Sequence, residues 1–343
     1  MRLHFLVLAL LVSACGSSMS AVDCQRDKPL PGVMSACEVP GWPGRDVIVR
    51  LPVKARLDAP LVIAFHGGGS HKEQLIPTTC KDGDDGGPGC LSTASDQRGA
   101  ILVLPDGKDH GGNHRAWNDG RRAVGLRCNP SCEDEVDDMA YFDALLALVD
   151  QVAPHDPRRV YALGMSNGAS MAHRVACERS EQVVAIAAVA GTNRFAPVDA
   201  CEPTRAVAVL QIHGIDDPVW PYRGGESTTA RGGYPSVGAT ITGANATLPD
   251  IGDDVGWVLR DGCDKDAREK KLPDRVADHT SSVEQSWDGC RDGTEVRLVT
   301  IRGGGHTWPG GDQYLGERVI GRVARDFEAS SYILEWLLRF RRN

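Results

Sequence analysis

The sequence predicts an α/β fold in which helices cover both faces of a mostly parallel central sheet. Short apolar runs, typical of strands buried on both faces, recur along the chain at residues 61–65, 100–104 and 183–189. Segments with apolar residues at helical spacing lie between them, most clearly at residues 134–152. Because parallel strands need long crossover connections, this alternation favours strand–helix repeats over an antiparallel sheet.

The N-terminus predicts export. A basic start precedes an apolar run at residues 5–12, which is too short to span a membrane and is typical of a signal peptide. Small residues before Cys15 resemble a bacterial lipobox, which favours lipidation of Cys15 over an ordinary secretory cleavage. We expect residues 1–15 to be the signal peptide, 16–44 a tether and disulfide-clipped segment, and 45–343 a single domain held outside the cytoplasm, secreted or anchored as a lipoprotein.

The cysteine count agrees with export. Of 11 cysteines, setting aside Cys15 leaves 11 − 1 = 10, an even number that favours disulfides in an exported chain. No close pair of cysteines is followed by a second close pair or by a histidine at ligand spacing, so a zinc site is disfavoured. Spacing favours five local pairs, although other connectivities stay open: Cys24–Cys37, Cys80–Cys90, Cys128–Cys132, Cys177–Cys201 and Cys263–Cys290.

Composition limits the partners. The formal net charge is −8 and no basic cluster with interleaved aromatic residues is present, which argues against a nucleic-acid partner. The acidic, glycine-rich residues 79–90 lack the EF-hand pattern, so a disulfide-closed surface loop is favoured there over a calcium site. We expect no metal, no other cofactor, and membrane contact only through the N-terminal anchor; the oligomeric state stays open.

The first strands carry a candidate anion site. Residues 45–51 predict an edge strand, and the buried run at 61–65 ends in His66 followed by three glycines. Glycines in that place let the N–H groups of Gly68 or Gly69 approach a ligand, as in an oxyanion hole, whereas the alternative is a flexible turn. After the strand at 100–104, Trp117 lies in a loop, where it could line a pocket or pack.

The central motif is a nucleophile elbow. Residues 160–163 predict a strand, Gly164 and Gly168 bracket Ser166 in the pattern G-x-S-x-G, and a helix is predicted from Asn167. A serine at the apex of a strand-to-helix turn occupies strained backbone, and its neighbours two residues away must lack side chains. A chance glycine–serine turn is the alternative, which the flanking strand and helix disfavour.

The remaining candidates follow later strands. The predicted strand at 207–212 precedes two aspartates, of which Asp217 matches the spacing of a catalytic acid better than Asp216. Residues 224–253 predict a long loop or small insertion. The strand predicted at 295–301 precedes a glycine-rich loop that carries His306. Two further helices are predicted at residues 254–263 and 333–340.

The chain order Ser166, Asp217, His306 is that of α/β-hydrolases. Each candidate follows the carboxyl end of a predicted strand, where open parallel sheets gather their sites. His306 would accept the serine proton and return it to the leaving alcohol, and Asp217 would orient the imidazole. Backbone N–H groups of Asn167 and of Gly68 or Gly69 would stabilise the oxyanion.

These motifs resemble the secreted polyhydroxybutyrate depolymerase and feruloyl esterase-like family of α/β-hydrolases. The resemblance covers residues 61–311 and rests on LVIAFHGGGS, ILVLPDG, VDDMAYFDALL, DPRRVYALGMSNGASMAHRVAC, LQIHGIDDPVWPY and GGGHTWPGG. It implies Ser166 as nucleophile, Asp217 as acid and His306 as base, with Gly68 and Asn167 as oxyanion donors.

The resemblance also implies an activity, a serine carboxylesterase acting on small or oligomeric esters of the hydroxybutyrate, feruloyl or simple acyl kind. Trp117, Trp220, Tyr222 and Trp308 flank the motifs and could stack against a feruloyl ring or pack the loops. A peptidase on the same fold is one alternative. A non-catalytic binding protein on this fold is another, disfavoured because serine, aspartate and histidine candidates are all present.

Overall fold

A computed structural model describes residues 21–54, 56–84, 86–124, 126–194, 201–227, 233–243 and 256–343. The strands are β1 (Met34–Cys37), β2 (Val47–Arg50), β3 (Leu61–Phe65), β4 (Ile101–Pro105), β5 (Lys108–Asp109), β6 (Arg115–Ala116), β7 (Val160–Met165), β8 (Ala185–Val189), β9 (Ala208–Gly214), β10 (Gly225–Glu226), β11 (Gly233–Tyr234), β12 (Arg268–Lys271), β13 (Ser281–Trp287) and β14 (Val296–Arg302). The α-helices are α1 (Lys72–Thr79), α2 (Leu91–Gln97), α3 (Pro130–Glu133), α4 (Asp138–Val152), α5 (Asn167–Glu178), α6 (Val237–Ile241), α7 (Trp257–Arg260), α8 (Glu317–Ile320) and α9 (Ala329–Leu337).

Within the described ranges, ten strands form one sheet in the order β1-β2-β4-β3-β7-β8-β9-β14-β13-β12. The strands from β4 through β3, β7, β8 and β9 to β14 run parallel. Antiparallel strands extend the sheet at both ends. The parallel middle of the sheet, with its carboxyl ends at one edge, is the predicted architecture.

Helices pack on both faces because the central strands are apolar on both faces. Every residue of β3, β4, β7, β8 and β9 is buried. One hydrophobic layer joins the sheet to α4 and α5 through side chains such as Phe142 and Met171. The other joins it to α1, α2 and α9 through Leu75, Leu91 and Ile333. The predicted α/β class is therefore confirmed.

Four features differ from the prediction. The predicted edge strand at 45–51 is β2, but it is not at an edge, because β1 pairs with it along its whole length. The strand predicted at 295–301, β14, is followed in the sheet by β13 and β12, which no apolar pattern predicted. The helix predicted at 254–263 shortens to Trp257–Arg260. Helix α4 begins at Asp138 rather than at residue 134, because the Asp137 carboxylate caps it by accepting from the N–H of Ala140 at 3.0 Å.

Five disulfides occur among the described residues, and they are the five predicted pairs. Cys80–Cys90 closes the acidic loop, and Cys177–Cys201 ties the end of α5 to the segment before β9. Disulfides at this density indicate a protein that folds outside the cytoplasm. The predicted signal peptide and Cys15 lie outside the described residues, as do parts of residues 224–253. The described helices include none with the length and apolarity that a bilayer crossing requires.

Candidate active site

Ser166 lies on the turn between β7 and α5, with φ 57° and ψ −121°. A side chain is rarely accommodated at positive φ, so the surrounding structure must impose this conformation. Its N–H donates to the Val189 carbonyl of the neighbouring strand at 2.9 Å. Ser166 is partly exposed whereas the residues on either side are buried. The predicted elbow geometry is therefore present at the carboxyl edge of the sheet.

The glycine at 168 is required by close approach of backbone. A Cβ there would lie 2.2 Å from the Phe65 carbonyl oxygen and 2.5 Å from that of His66. A Cβ on Gly164 would similarly lie 2.3 Å from the Gly168 carbonyl oxygen. These contacts bring the elbow against the loop that follows β3, so the same glycines that permit the turn also position the two loops.

We expect Gly168→Ala to lower the free energy of unfolding by about 3 kcal/mol, because backbone atoms cannot move aside without separating β3 from α5. Urea denaturation of the purified variant would measure the loss. Gly69→Ala is a matched control: its Cβ would meet nothing within 4 Å, and its φ of +77° should cost only about 1 kcal/mol. Equal losses in the two variants would contradict the close-approach argument.

Asp217 and His306 meet at the same edge. The Nδ1 atom of His306 lies 2.8 Å from Oδ2 of Asp217. The other carboxylate oxygen, Oδ1, accepts from the N–H groups of Val219 at 2.8 Å and Trp220 at 2.7 Å. A third ring, that of His213, places its Nε2 3.3 Å from Oδ2. All four neighbours therefore approach the carboxylate as donors.

The electrostatics keep Asp217 ionised. Burial alone would raise the pKa of Asp217, but the electrostatic attraction and hydrogen bonds of His306 and His213 outweigh it and hold the pKa well below its usual range. An ionised carboxylate only accepts hydrogen bonds, so Nδ1 of His306 carries a proton. In the neutral ring Nε2 then has a free lone pair, as a general base requires.

The neighbouring Asp216 is placed differently. Its side chain is exposed, and its N–H donates to the Gly304 carbonyl at 3.0 Å. The geometry thus favours Asp217 as the orienting acid, as the spacing predicted. No sequence pattern signalled Tyr314, whose hydroxyl donates to the His306 carbonyl at 2.9 Å and so helps to fix the loop.

The loop after β3 offers one candidate oxyanion donor, not two. The N–H of Gly69 is engaged by the Arg115 carbonyl at 2.7 Å. Gly68 lies against Asn167, since a Cβ on Gly68 would be 3.3 Å from the Cβ of Asn167. Asn167 is the first residue of α5, where N–H groups have no acceptor within the helix. The geometry therefore favours Gly68 over Gly69 as the partner of Asn167.

The uncharged ring of His66 fixes this loop through a hydrogen bond at each of its two nitrogens. Its Nε2 accepts from the N–H of Gly107 at 2.9 Å, so the proton lies on Nδ1, which donates to the Gly67 carbonyl at 2.8 Å. Burial lowers the pKa of His66 to about 4, which keeps the ring neutral. The His66 carbonyl in turn accepts from Nε1 of Trp117 at 2.9 Å.

The Asn167 side chain is held by groups that sequence reasoning missed. Its Oδ1 accepts from the N–H of Trp117 at 2.8 Å, and its Nδ2 donates to a carboxylate oxygen of Asp119 at 2.9 Å. Arg121 binds both oxygens of Asp119, at 2.7 and 2.6 Å. Burial alone would raise the pKa of Asp119, but the Arg121 charge and hydrogen bonds lower it overall. No motif signalled this cluster, because its members meet only in the folded chain.

The three tryptophans predicted to bind substrate are all interior. Trp117 and Trp308 are 0% exposed and Trp220 is 2% exposed. Their indole N–H groups are committed to the chain itself, for Trp220 to Thr192 at 2.9 Å and for Trp308 to Ser330 at 3.1 Å. This placement favours the packing alternative over stacking against a substrate ring. Tyr222, half-buried, shares a hydrogen bond with Thr300 at 2.8 Å.

Comparison with known proteins gives relatives that include proteins named esterases. The chain is 29% identical over 287 residues to the protein named putative esterase NocK from Nocardia uniformis subsp. tsuyamanensis, covering 81% of this chain and 74% of that protein. It is 28% identical over 266 residues to feruloyl esterase B of Piromyces equi, covering 76% of this chain and 42% of that enzyme. The chain therefore spans less than half the length of the Piromyces enzyme. No protein-family model matches.

Among solved structures, the chain resembles the acetyl xylan esterase from Aspergillus awamori with a TM-score of 0.51. The sequence identity is 16%, and the likeness covers 80% of this chain and 94% of that one, so it bears on the fold alone. The parallel sheet with its elbow and this structural likeness show the α/β-hydrolase fold, and the sequence is similar to proteins named esterases and feruloyl esterases.

Proposed function

We propose that the protein is an exported serine carboxylesterase that works through Ser166, His306 and Asp217 and a covalent acyl-enzyme intermediate. The observation that carries the proposal is the 2.8 Å contact between His306 Nδ1 and the Asp217 carboxylate, at the sheet edge where the strained elbow presents Ser166. A histidine held in this tautomer by a buried carboxylate is the activating group that a serine nucleophile needs.

In the first half of the reaction, the Ser166 oxygen attacks the acyl carbon while its proton passes to Nε2 of His306. The tetrahedral oxyanion would accept from the N–H groups of Gly68 and Asn167. When the oxyanion collapses, the bond to the alcohol oxygen breaks and the His306 proton goes to that oxygen. Water then repeats the sequence on the acyl-enzyme, releasing the acid and restoring Ser166.

The substrate class we propose is a soluble feruloyl-type or small acyl ester. The support is the chain's similarity to relatives that include proteins named feruloyl esterases. The predicted lipobox supports a further proposal, that Cys15 is lipidated and anchors the enzyme to a membrane surface. Mass spectrometry of the N-terminal peptide from the native host would test the anchor, and an unmodified Cys15 would overturn it.

We expect methyl ferulate to be hydrolysed with a kcat/KM at least about 10-fold above that of a hydroxybutyrate trimer. A ratio of this size corresponds to a difference of about 1.4 kcal/mol in transition-state binding. A panel that also contains p-nitrophenyl acetate would measure general acyl activity. The opposite ranking would replace the feruloyl-type substrate with a hydroxyalkanoate. If only p-nitrophenyl acetate is hydrolysed, the substrate class is restricted to esters of small acyl groups.

The same panel separates esterase from binding protein. A serine-reactive phosphonate should label Ser166, as located by mass spectrometry, and stop hydrolysis in proportion to labelling. A chain that neither hydrolyses any ester nor reacts with the phosphonate would be a binding protein on a hydrolase fold. Cleavage of peptide amides at rates comparable to esters would instead favour a peptidase.

A further inference from the structure

A row of buried polar side chains leads away from Asp217 through the middle of the protein. His213 and Gln211 lie on β9, His173 lies on α5 and Trp257 begins α7. His213 is 1% exposed and the other three are 0% exposed. Burying polar groups is costly unless each is hydrogen-bonded, so a continuous row of them has to be satisfied along its length.

The far end of the row sets the direction of its hydrogen bonds. The indole N–H of Trp257 lies 3.0 Å from Nδ1 of His173, and an indole can only donate. Nδ1 of His173 therefore accepts. Burial lowers the pKa of His173 to about 4, so the ring is neutral and its proton is on Nε2. That N–H donates to Oε1 of Gln211 at 3.2 Å.

A second, independent contact fixes the Gln211 amide in the same orientation. Its Nε2 donates to the Gly191 carbonyl at 2.9 Å, which only the NH₂ group can do. The same NH₂ group lies 3.4 Å from Nδ1 of His213, so that atom accepts and the His213 proton is on Nε2. The N–H at Nε2 is shared between the Trp220 carbonyl at 2.9 Å and Oδ2 of Asp217 at 3.3 Å.

We propose that His213 is a positioning residue for the reaction: its Nε2–H, held in that tautomer by Gln211, His173 and Trp257, fixes the Asp217 carboxylate and its loop beneath His306. The inference rests on the proposed function and deepens it. His213 reaches two points of the loop, the Asp217 side chain and the Trp220 carbonyl, while the Trp220 N–H returns to Asp217. Rotation of the carboxylate away from His306 would break its contacts with His213 and with the Trp220 N–H together.

A matched pair of variants tests the role. In His213→Gln the amide nitrogen stands near the position of Nε2 and keeps the donor toward Asp217, whereas in His213→Asn it stands near Nδ1 and does not. We expect the Asn variant to lose about 10- to 100-fold in kcat for p-nitrophenyl acetate with KM nearly unchanged, because a misplaced catalytic group lowers kcat. The Gln variant should stay within about threefold of the wild type. Equal kcat in the two variants, or a loss confined to KM, would overturn the proposal.

A measurement on the wild type keeps the inference separate from the proposed function. Long-range ¹⁵N–¹H NMR of the histidine rings should find His213 and His173 both protonated on Nε2. A His213 ring protonated on Nδ1 would overturn the proposal even if the enzyme is active. If neither the wild type nor Ser166→Ala hydrolyses any ester, the proposed function fails, and the role of His213 in catalysis fails with it. The tautomers of His213 and His173 are decided separately, by the NMR spectrum.

Discussion

Replacing Ser166 or His306 with alanine should lower kcat by about 10⁴- to 10⁶-fold on p-nitrophenyl acetate. Ser166 occupies the strained turn and His306 is the ring that Asp217 holds with its Nε2 lone pair free. Each variant removes one participant of the proposed proton transfer, so the remaining residue cannot carry out that step alone. The double variant should therefore be about as slow as either single variant, since residues that act as a unit are not additive.

Matched controls separate this effect from damage to the fold. Ser170→Ala removes a serine from the same helix, where its hydroxyl donates to the Thr192 carbonyl at 2.7 Å. It should cost about 1 kcal/mol of stability and leave kcat within a few-fold of the wild type. His155→Ala removes a histidine that lies before β7, at the opposite end of that strand from Ser166. Turnover by Ser166→Ala within 10-fold of the wild type would refute Ser166 as nucleophile.

Asp217→Asn should lower kcat by about 10³- to 10⁴-fold, while Asp216→Asn should change it little. Both oxygens of Asp217 face N–H donors, from Val219 and Trp220 on one side and from the two histidine rings on the other. An amide NH₂ group meets a donor in either orientation. Directed at His306, it would favour the tautomer with the proton on Nε2, which cannot accept from Ser166.

The comparison of the two aspartates is the measurement that decides this assignment. Steady-state kinetics of Asp217→Asn and Asp216→Asn should be run with thermal unfolding of both, because Asp217 is buried and Asp216 is exposed. The larger kcat loss in Asp216→Asn would reverse the assignment. Comparable losses in both would mean that the loop, not one carboxylate, supports the histidine.

The positions of the central parallel strands were predictable because each is a local apolar pattern. The run at 61–65 is β3 with no shift, and the run at 183–189 contains β8. The five disulfides were predictable for the same reason, since every pair is close along the chain. Asp217 was favoured over Asp216 by its distance from the end of the strand, and the observed hydrogen bond to His306 agrees with that choice.

The supporting residues of the site could not be predicted from the sequence, because they act through contacts between distant segments. Tyr314, Asp119 and His213 support the site through side chains that no local pattern distinguishes from ordinary polar residues. For the tryptophans the sequence left packing and substrate binding both open, because an aromatic residue beside a motif has the same pattern whether it packs or binds. Only burial, 0% for Trp117 and Trp308, separates the two.

Strand β12 has a consequence for association with other molecules. It is the last strand at one side of the sheet, and its four residues, Arg268, Glu269, Lys270 and Lys271, are all exposed. A neighbour adding a strand there would have to bring its own backbone against this row of solvated charges, three of them positive. Self-association by continuing the sheet from copy to copy, the geometry of ordered aggregation, is therefore disfavoured on this side.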